Sequence, residues 1–256
     1  MEARFLLSDM SVMIGRSMRH IFRSMDTIIK VALMPILYML LFVYVFGGAI
    51  QSGPCNYVNY LLPGILLMAI ASGIAYTAYR LFLDVQKGIF ERFHSMPMAH
   101  AAVLWGHVLA SLVSNAISLV VIVLVALLMG FRSPAGILSW LAVIGILALF
   151  TLALTWIAAI AGLSAKTIDG ASAFSFPLLF LPFISSAFVP TGTMPPAVRV
   201  FAEYQPVTSI VDAIRALLSN QPVGNGIWIA ISWCVGIIAV AYVFAMRAYK
   251  RRVLSR

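Results

Sequence analysis

Long apolar segments separated by short polar ones dominate the pattern of hydrophobic and polar positions along the chain. A helix that spans the hydrocarbon core of a bilayer needs about 20 mostly apolar residues. Six segments predict such helices: residues 31–50, 60–79, 103–129, 137–163, 174–189 and 227–246. The fifth segment is short, so we expect either a span across a thin region or the first part of a broken one.

The first thirty residues predict a helix that lies on the membrane surface. Basic side chains step by three and four along one face, and isoleucines and methionines line the other. This face comprises Arg16, Arg19, Arg23, Asp26 and Lys30 and is basic except at Asp26. Residues 1–30 are therefore predicted to form an interfacial helix in the headgroup plane, with a plain basic flank as the alternative.

Residues 80–100 form the most charged connection between two apolar segments. Apolar side chains recur at steps of three and four on one side of a helix, and charged ones recur on the other. The two faces are Phe82, Val85, Ile89 and Phe93, and Asp84, Lys87, Glu91 and His94. Pro97 would end this amphipathic helix. We interpret it as the surface by which another protein binds this chain in the cytoplasm.

Residues 190–220, between the fifth and sixth apolar segments, predict two short helices on the outer side. Prolines at positions 190, 195 and 196 interrupt any earlier helix, and Pro206 suits the first turn of a new one. One apolar stripe follows: Val207, Ile210, Val211, Ile214 and Leu218. Helices this short and this apolar are expected to dip into the outer leaflet or to lie on it.

Composition places the chain among polytopic membrane proteins, because 62% of its residues are hydrophobic and only 10% are charged. With six spans, 14 of the 17 lysines and arginines fall on the side that holds both termini. Cytoplasmic loops are enriched in these residues, so we expect both termini in the cytoplasm. The net charge of +9 then indicates topology and contact with anionic membrane lipids, and not nucleic-acid binding.

The predicted spans indicate which energy sources are absent. No acidic or basic side chain lies well inside them, which disfavours proton coupling. None of the four lysines follows a glycine, as a phosphate-binding loop of the Walker type requires. No catalytic set and no metal site is predicted. His107 is interpreted as an interfacial residue. Hydroxyls and amides such as Ser111, Asn115 and Thr155 are expected to bond across helices or back to their own backbone rather than to a substrate.

The outer segment carries a recognisable series of residues: Phe188, Val189, Pro190, Met194, Pro195, Glu203, Pro206, Val207, Thr208, Asp212, Ala213, Ile214 and Arg215. It resembles the signature of type 2 permeases of ATP-binding cassette exporters, particularly the daunorubicin-resistance and nodulation-factor export branch. The run Gly88, Phe90, Glu91, Arg92 and Pro97 resembles that family's first cytoplasmic loop. Two departures are Gln205, where asparagine is frequent, and the replacement of a commonly acidic stretch by residues 191–193.

The resemblance implies a fold and a set of partners. The fold would be an all-α integral membrane permease domain over residues 1–256, with six spans, the amino-terminal interfacial helix and short outer helices. The loop at 80–100 would be the coupling helix that docks into an ATPase subunit, with a secondary contact through Lys166 and Asp169. The implied docking residues are Asp84, Lys87, Gly88, Phe90, Glu91, Arg92, Phe93 and Pro97.

The implied complex lies in the bacterial cytoplasmic membrane. It has two ATPase copies, which hold ATP and Mg, and a second permease that is either identical or a sister chain. This chain itself would be neither an enzyme nor a cofactor-binding protein. Its expected role is ATP-driven export of an amphipathic drug or lipid-like molecule. The alternatives are a permease for lipid-linked glycans or lipo-oligosaccharides and, in another class, a membrane scaffold or sensor without transport.

Overall fold

The computed structural model describes residues 25–47, 57–88 and 100–254, and the regular structure within these ranges is helical. In chain order the α-helices are α1 Met25–Leu40, α2 Tyr57–Gln86, α3 His100–Leu128, α4 Ile137–Ser164, α5 Ile168–Ala173, α6 Ser175–Phe180, α7 Pro196–Tyr204, α8 Pro206–Leu218 and α9 Gly226–Leu254. Helix α1 continues as a π-helical segment, Leu41–Phe46. Residues 1–24, most of the predicted interfacial helix, lie outside the described ranges.

Four described helices are long and apolar enough to cross a membrane: α2, α3, α4 and α9. They correspond to the second, third, fourth and sixth predicted spans. The first and fifth predicted spans contain shorter apolar helical stretches, Ala32–Val45 and Ile168–Ile184. The all-helical membrane architecture is thus confirmed, whereas six full spans remain a prediction.

The fifth apolar segment is broken. Helices α5 and α6 are six residues each, and a 3₁₀ helix over Leu181–Ile184 follows them. Pro177 and Pro182 lack the backbone N–H that a continuous α-helix needs. Ser185 is already extended, with φ −135° and ψ −179°. Of the two forms predicted for residues 174–189, the structure has the broken one.

The prediction of one separate amphipathic helix across residues 80–100 is wrong, because its first residues belong to α2 and the helix ends before Gly88. Helix α2 extends to Gln86 and so includes Arg80 and Asp84. It ends in a turn in which Gly88 donates to the Val85 carbonyl and adopts φ +65°. Glycine is suited to this left-handed conformation because it has no Cβ. The chain therefore turns away from the α2 axis at Gly88, and residues 89–99 lie outside the described ranges.

Helix α2 is the central element of the bundle. Most of its side chains are buried, and it packs against α1, α3, α4, α5, α6 and α8. Small residues allow these close crossings. At Gly162 of α4, a Cβ would lie 2.8 Å from the Ala78 carbonyl oxygen of α2. Helix α9 contrasts with α2, because much of its apolar surface is exposed.

Helix α3 runs opposite to the other three long helices, which gives the bundle two distinct ends. At one end α2, α4 and α9 finish and α3 begins, and a buried cluster that includes Leu81, Leu104, Leu163 and Tyr249 joins them. The basic residues Arg80, Lys87, Lys166, Arg247 and Arg251 lie at this end, which we call the basic end. At the far end, Asn59 at the start of α2 exchanges hydrogen bonds with the Arg132 backbone after α3.

Candidate functional site

A cluster of four residues joins three elements at the far end of the bundle. We call Tyr60, Ser186, Asp212 and Arg215 the Arg215 cluster. One Arg215 nitrogen, Nη1, lies 2.7 Å from the Asp212 carboxylate one turn earlier in α8. The other, Nη2, donates to the Ser186 carbonyl at 2.7 Å and to the Tyr60 carbonyl at 3.3 Å. The guanidinium thus bridges α8, the segment after the broken span, and α2.

Tyr60 and Ser186 close this cluster from the other side. The Tyr60 hydroxyl donates to the Ser186 carbonyl at 2.9 Å, and the Ser186 hydroxyl donates to the Asp212 carboxylate at 2.6 Å. The Tyr60 ring also faces the guanidinium, whose Cζ lies 3.9 Å from the ring centroid. Charged hydrogen bonds and a cation–π contact in a half-buried site are individually stronger than the same contacts in water.

The local sequence explains why these side chains meet. The apolar stripe of α8 is buried as predicted, which turns the adjacent Asp212 and Arg215 towards the rim of the core. Ser185 fixes the preceding bend, because its hydroxyl donates to the Pro182 carbonyl and accepts from the Ala187 amide. Gln205 is buried before α8, and its side chain donates to the Ile184 carbonyl. Gln205, at the position where asparagine is frequent, therefore bonds α8 to the end of the broken span.

The structure brings only part of the predicted outer signature together. Asp212 and Arg215 belong to the cluster, and Pro206 lies in the first turn of α8 as predicted. Thr208, a further signature residue, contacts the cluster, because its hydroxyl accepts from the Ser186 amide at 3.4 Å. The hydrogen bonds of the cluster in the described part of the chain include none to Pro190, Met194, Pro195 or Glu203. Glu203 instead forms an exposed ion pair with Arg199 one turn earlier in α7, at 2.7 Å. An exposed pair of this kind contributes little to stability.

At the basic end, only some of the predicted docking residues lie within the described ranges. Asp84 lies in the last turns of α2 and its carboxylate is 3.1 Å from His107 Nε2 of α3. Lys87 and Gly88 form the turn that follows. The other predicted docking residues lie outside the described ranges: Phe90, Glu91, Arg92, Phe93 and Pro97. A polar contact between α2 and α3 therefore lies in the first part of the predicted coupling loop over residues 80–100.

The predicted secondary contact lies at the same end. Lys166 and Asp169 are both exposed, in the connection from α4 to α5. Thr167 caps α5, since its hydroxyl accepts from the Gly170 amide at 3.1 Å. The two charged residues thus flank a fixed turn and are accessible to a partner.

A layer of hydroxyl and amide groups links α2, α3 and α4 inside the bundle. Thr77 and Ser111 are 2.8 Å apart, Ser111 and Thr155 are 3.3 Å apart, and Asn115 donates to the Ser111 carbonyl. Both expected kinds of bond occur, since Thr77, Ser111 and Thr155 bond across helices and Asn115 bonds to the backbone of its own helix. Asn115 Oδ1 has no hydrogen-bond partner among the described residues, and it lies against Gly73, where a Cβ would be 2.2 Å away.

Sequence reasoning missed three of these participants. By sequence alone, Tyr60 is an interface anchor near a span end, Ser186 is one of several interior hydroxyls, and His107 is an interfacial residue. One usable signal was the Asp212 and Arg215 pair at i, i+3 beside a fully apolar stripe. Within the described ranges, no three histidines, cysteines or acids are grouped as metal ligands.

Comparison with known proteins gives matches over most of the chain. The family described as "ABC-2 type transporter" matches residues 9–219. A "Daunorubicin resistance ABC transporter permease protein" of Streptomyces coeruleorubidus is 30% identical over 93% of this chain and 87% of its own length. A "Probable doxorubicin resistance ABC transporter permease protein" of Mycobacterium tuberculosis is 24% identical over 97% and 91%. A "Putative transport permease" of Cyanophora paradoxa is 25% identical over 85% and 76%.

Proposed function

The chain belongs to the ABC-2 type transporter family, and we propose that it is the permease subunit of an ATP-driven exporter. The cargo is an amphipathic drug or lipid-like molecule that leaves the cytoplasm or the inner leaflet. Two relatives named as daunorubicin or doxorubicin resistance permeases support this substrate class. The chain is a multi-pass membrane protein of a permease family, and the family is not one of enzymes.

In this proposal a separate ATPase subunit supplies the energy. Two ATPase copies hold ATP and Mg and dock on the basic end of the bundle, at the loop over residues 80–100 and at Lys166 and Asp169. A second permease, identical or a sister chain, completes the membrane part. The basic end lies in the cytoplasm of a bacterial cell, at the inner membrane, because its lysines and arginines follow the positive-inside rule.

The observation that carries the proposal is that one helix reaches both ends of the bundle. Helix α2 is 30 residues long, which corresponds to about 45 Å. Asp84, in its last turns and within the predicted coupling loop, contacts His107, and Tyr60, in its first turn, belongs to the Arg215 cluster. A tilt imposed at the basic end would therefore displace the cluster at the far end.

This geometry suggests how ATP binding would open a path. Movement of the coupling loop tilts α2, and the tilt changes the distances from Tyr60 to Arg215 and Ser186. These bonds hold α8 and the broken span against α2, so their rearrangement alters the far end of the bundle. The interior contributes no charged side chain to the layer of Thr77, Ser111, Asn115 and Thr155. An uncharged interior suits a largely apolar cargo.

Copurification from the native host tests the partner. We expect the tagged chain to bring a nucleotide-binding subunit whose ATP hydrolysis is measurable in the complex. The double variant Glu91→Ala with Arg92→Ala should lose the subunit or uncouple hydrolysis from export. As a matched control, Arg199→Ala with Glu203→Ala removes one acid and one base at the far end and should retain the subunit.

Three results would contradict parts of the proposal. Unchanged export in the Glu91 and Arg92 variant would refute the coupling assignment. Isolation of the chain without any ATPase would favour a scaffold or sensor. Transport of a lipid-linked glycan, with no transport of amphipathic drugs by the same vesicles, would replace the cargo class while leaving the permease role intact.

A further inference from the structure

An apolar groove runs along the surface between α4 and α9, on the most exposed side of the bundle. Its volume is about 390 Å³. The lining comprises Ile157, Ile160, Trp233, Gly236, Ile237, Val240, Ala241 and Phe244. None of these side chains is charged, and the groove lies on the outside of α9, away from the polar layer that links α2, α3 and α4.

The groove has the length of one lipid leaflet. From Trp233 to Phe244 there are eleven helical steps, which correspond to about 17 Å along α9. Half of the hydrocarbon thickness of a bilayer is about 15 Å. An acyl chain that lies along the groove would therefore be in contact with it from the headgroup region to the middle of the membrane.

Arg247 and Arg251 lie at the basic end of this groove. Val240, Phe244, Arg247 and Arg251 follow at steps of four, three and four, so they share one face of α9. Arg247 Cζ lies 5.9 Å from the centroid of the Phe244 ring, which places its charge directly beyond the last apolar residue of the groove. Both arginines are exposed, and neither forms an ion pair with a carboxylate in the described part of the chain.

We propose that this groove is a binding site for one anionic phospholipid. An acyl chain occupies the apolar part, and the phosphate lies between Arg247 and Arg251. Charge complementarity favours an anionic lipid over a second copy of the chain. A second copy would bring further arginines to this end, and these would repel Arg247 and Arg251. The site is independent of the proposed export activity, since its lipid lies on the outer surface of α9.

Native mass spectrometry of the delipidated full chain, titrated with phosphatidylglycerol or phosphatidylcholine, tests the headgroup contact. We expect one tightly bound phosphatidylglycerol and a preference over phosphatidylcholine of roughly tenfold, as two cations near an anionic headgroup imply. Arg247→Gln with Arg251→Gln should abolish this preference. Lys250→Gln with Arg252→Gln removes the same charge at helical positions about 60–140° away from the two arginines, and it should retain the preference.

A second pair of variants tests the groove itself. A Cβ at Gly236 would meet no heavy atom within 4 Å, so Gly236→Phe fills the groove without a clash and should reduce the binding of both lipids. Gly145→Phe, at an equally open position on α4, should leave lipid binding unchanged. Equal binding of both lipids by the wild-type chain would overturn the proposal. An unchanged preference for phosphatidylglycerol in the Arg247 and Arg251 variant would also overturn it. So would a dimer of the wild-type chain that the Gly236→Phe variant does not form, because the groove would then bind a second copy.

Discussion

The guanidinium carbon of Arg215 lies 3.9 Å from the centroid of the Tyr60 ring, and the same guanidinium donates to the Tyr60 backbone carbonyl. One side chain therefore contacts both the ring and the backbone of a residue that is 155 positions earlier in the chain. Helix α8 is held on the first turn of α2 by this contact. Its strength can be measured by changing either partner.

Replacement of Arg215 by lysine should weaken the far end of the bundle although the charge is kept. An ammonium group has all its N–H donors on one atom, so it does not match the separate acceptors of Asp212, Ser186 and Tyr60 as Nη1 and Nη2 do. It also cannot stack on the Tyr60 ring as a planar guanidinium does. We expect a loss of about 1–3 kcal/mol in the free energy of unfolding, measured by thermal unfolding in detergent. Arg199→Lys, in an exposed ion pair, is the control and should change stability by less than about 0.5 kcal/mol.

Two substitutions of Tyr60 separate its two contacts. Tyr60→Phe removes the hydrogen bond to the Ser186 carbonyl and keeps the ring, with an expected loss of about 1 kcal/mol. Tyr60→Leu also removes the cation–π contact and should lose about 0.5–2 kcal/mol more. Unfolding midpoints of both variants, in the wild-type and Arg215→Lys backgrounds, test this order. Equal midpoints for Phe and Leu would show that the ring contributes nothing.

The contact between Gly73 and Asn115 predicts a pair of non-additive substitutions. Gly73→Ala places a methyl group on Asn115 Oδ1 and should destabilise the chain by about 1–3 kcal/mol. In the Asn115→Ala background that methyl group has room, so the same substitution should have little further effect. Gly145→Ala, which meets no atom within 4 Å, is the control and should be neutral or slightly stabilising. Additive losses would contradict the contact.

A double-mutant cycle at the basic end tests the contact of Asp84 with His107. Asp84→Asn and His107→Gln should each weaken the packing of α3 on α2, and the double variant should lose less than the sum. We expect a coupling of about 0.5–1.5 kcal/mol, because both side chains are partly buried. The same cycle, read out as ATP hydrolysis in the complex with its partner, asks whether the contact transmits motion. Zero coupling in both measurements would leave it without a structural or functional role.

The sequence by itself determined the class and the main elements of this protein. Apolar length identified four spanning helices, because a chain in lipid must satisfy its backbone within helices and needs a fixed number of residues to cross. Prolines and the apolar stripe located α7 and α8, since both signals act over a few neighbouring residues. The outer signature and the charged loop led to the family. Each of these conclusions rests on local patterns that need no knowledge of distant contacts.

Only the tertiary structure decided which residues meet. The turn at Gly88 ended α2 where the charge pattern had continued it, because one glycine in a left-handed conformation overrides an amphipathic period. Tyr60 and Ser186 became partners of Arg215, and Asn115 came to lie against Gly73, through helix crossings that join distant parts of the chain. A membrane span needs only to be apolar, so its sequence does not specify which helices pack against it. The neighbouring helices are determined by the close packing of whole helices in the bundle.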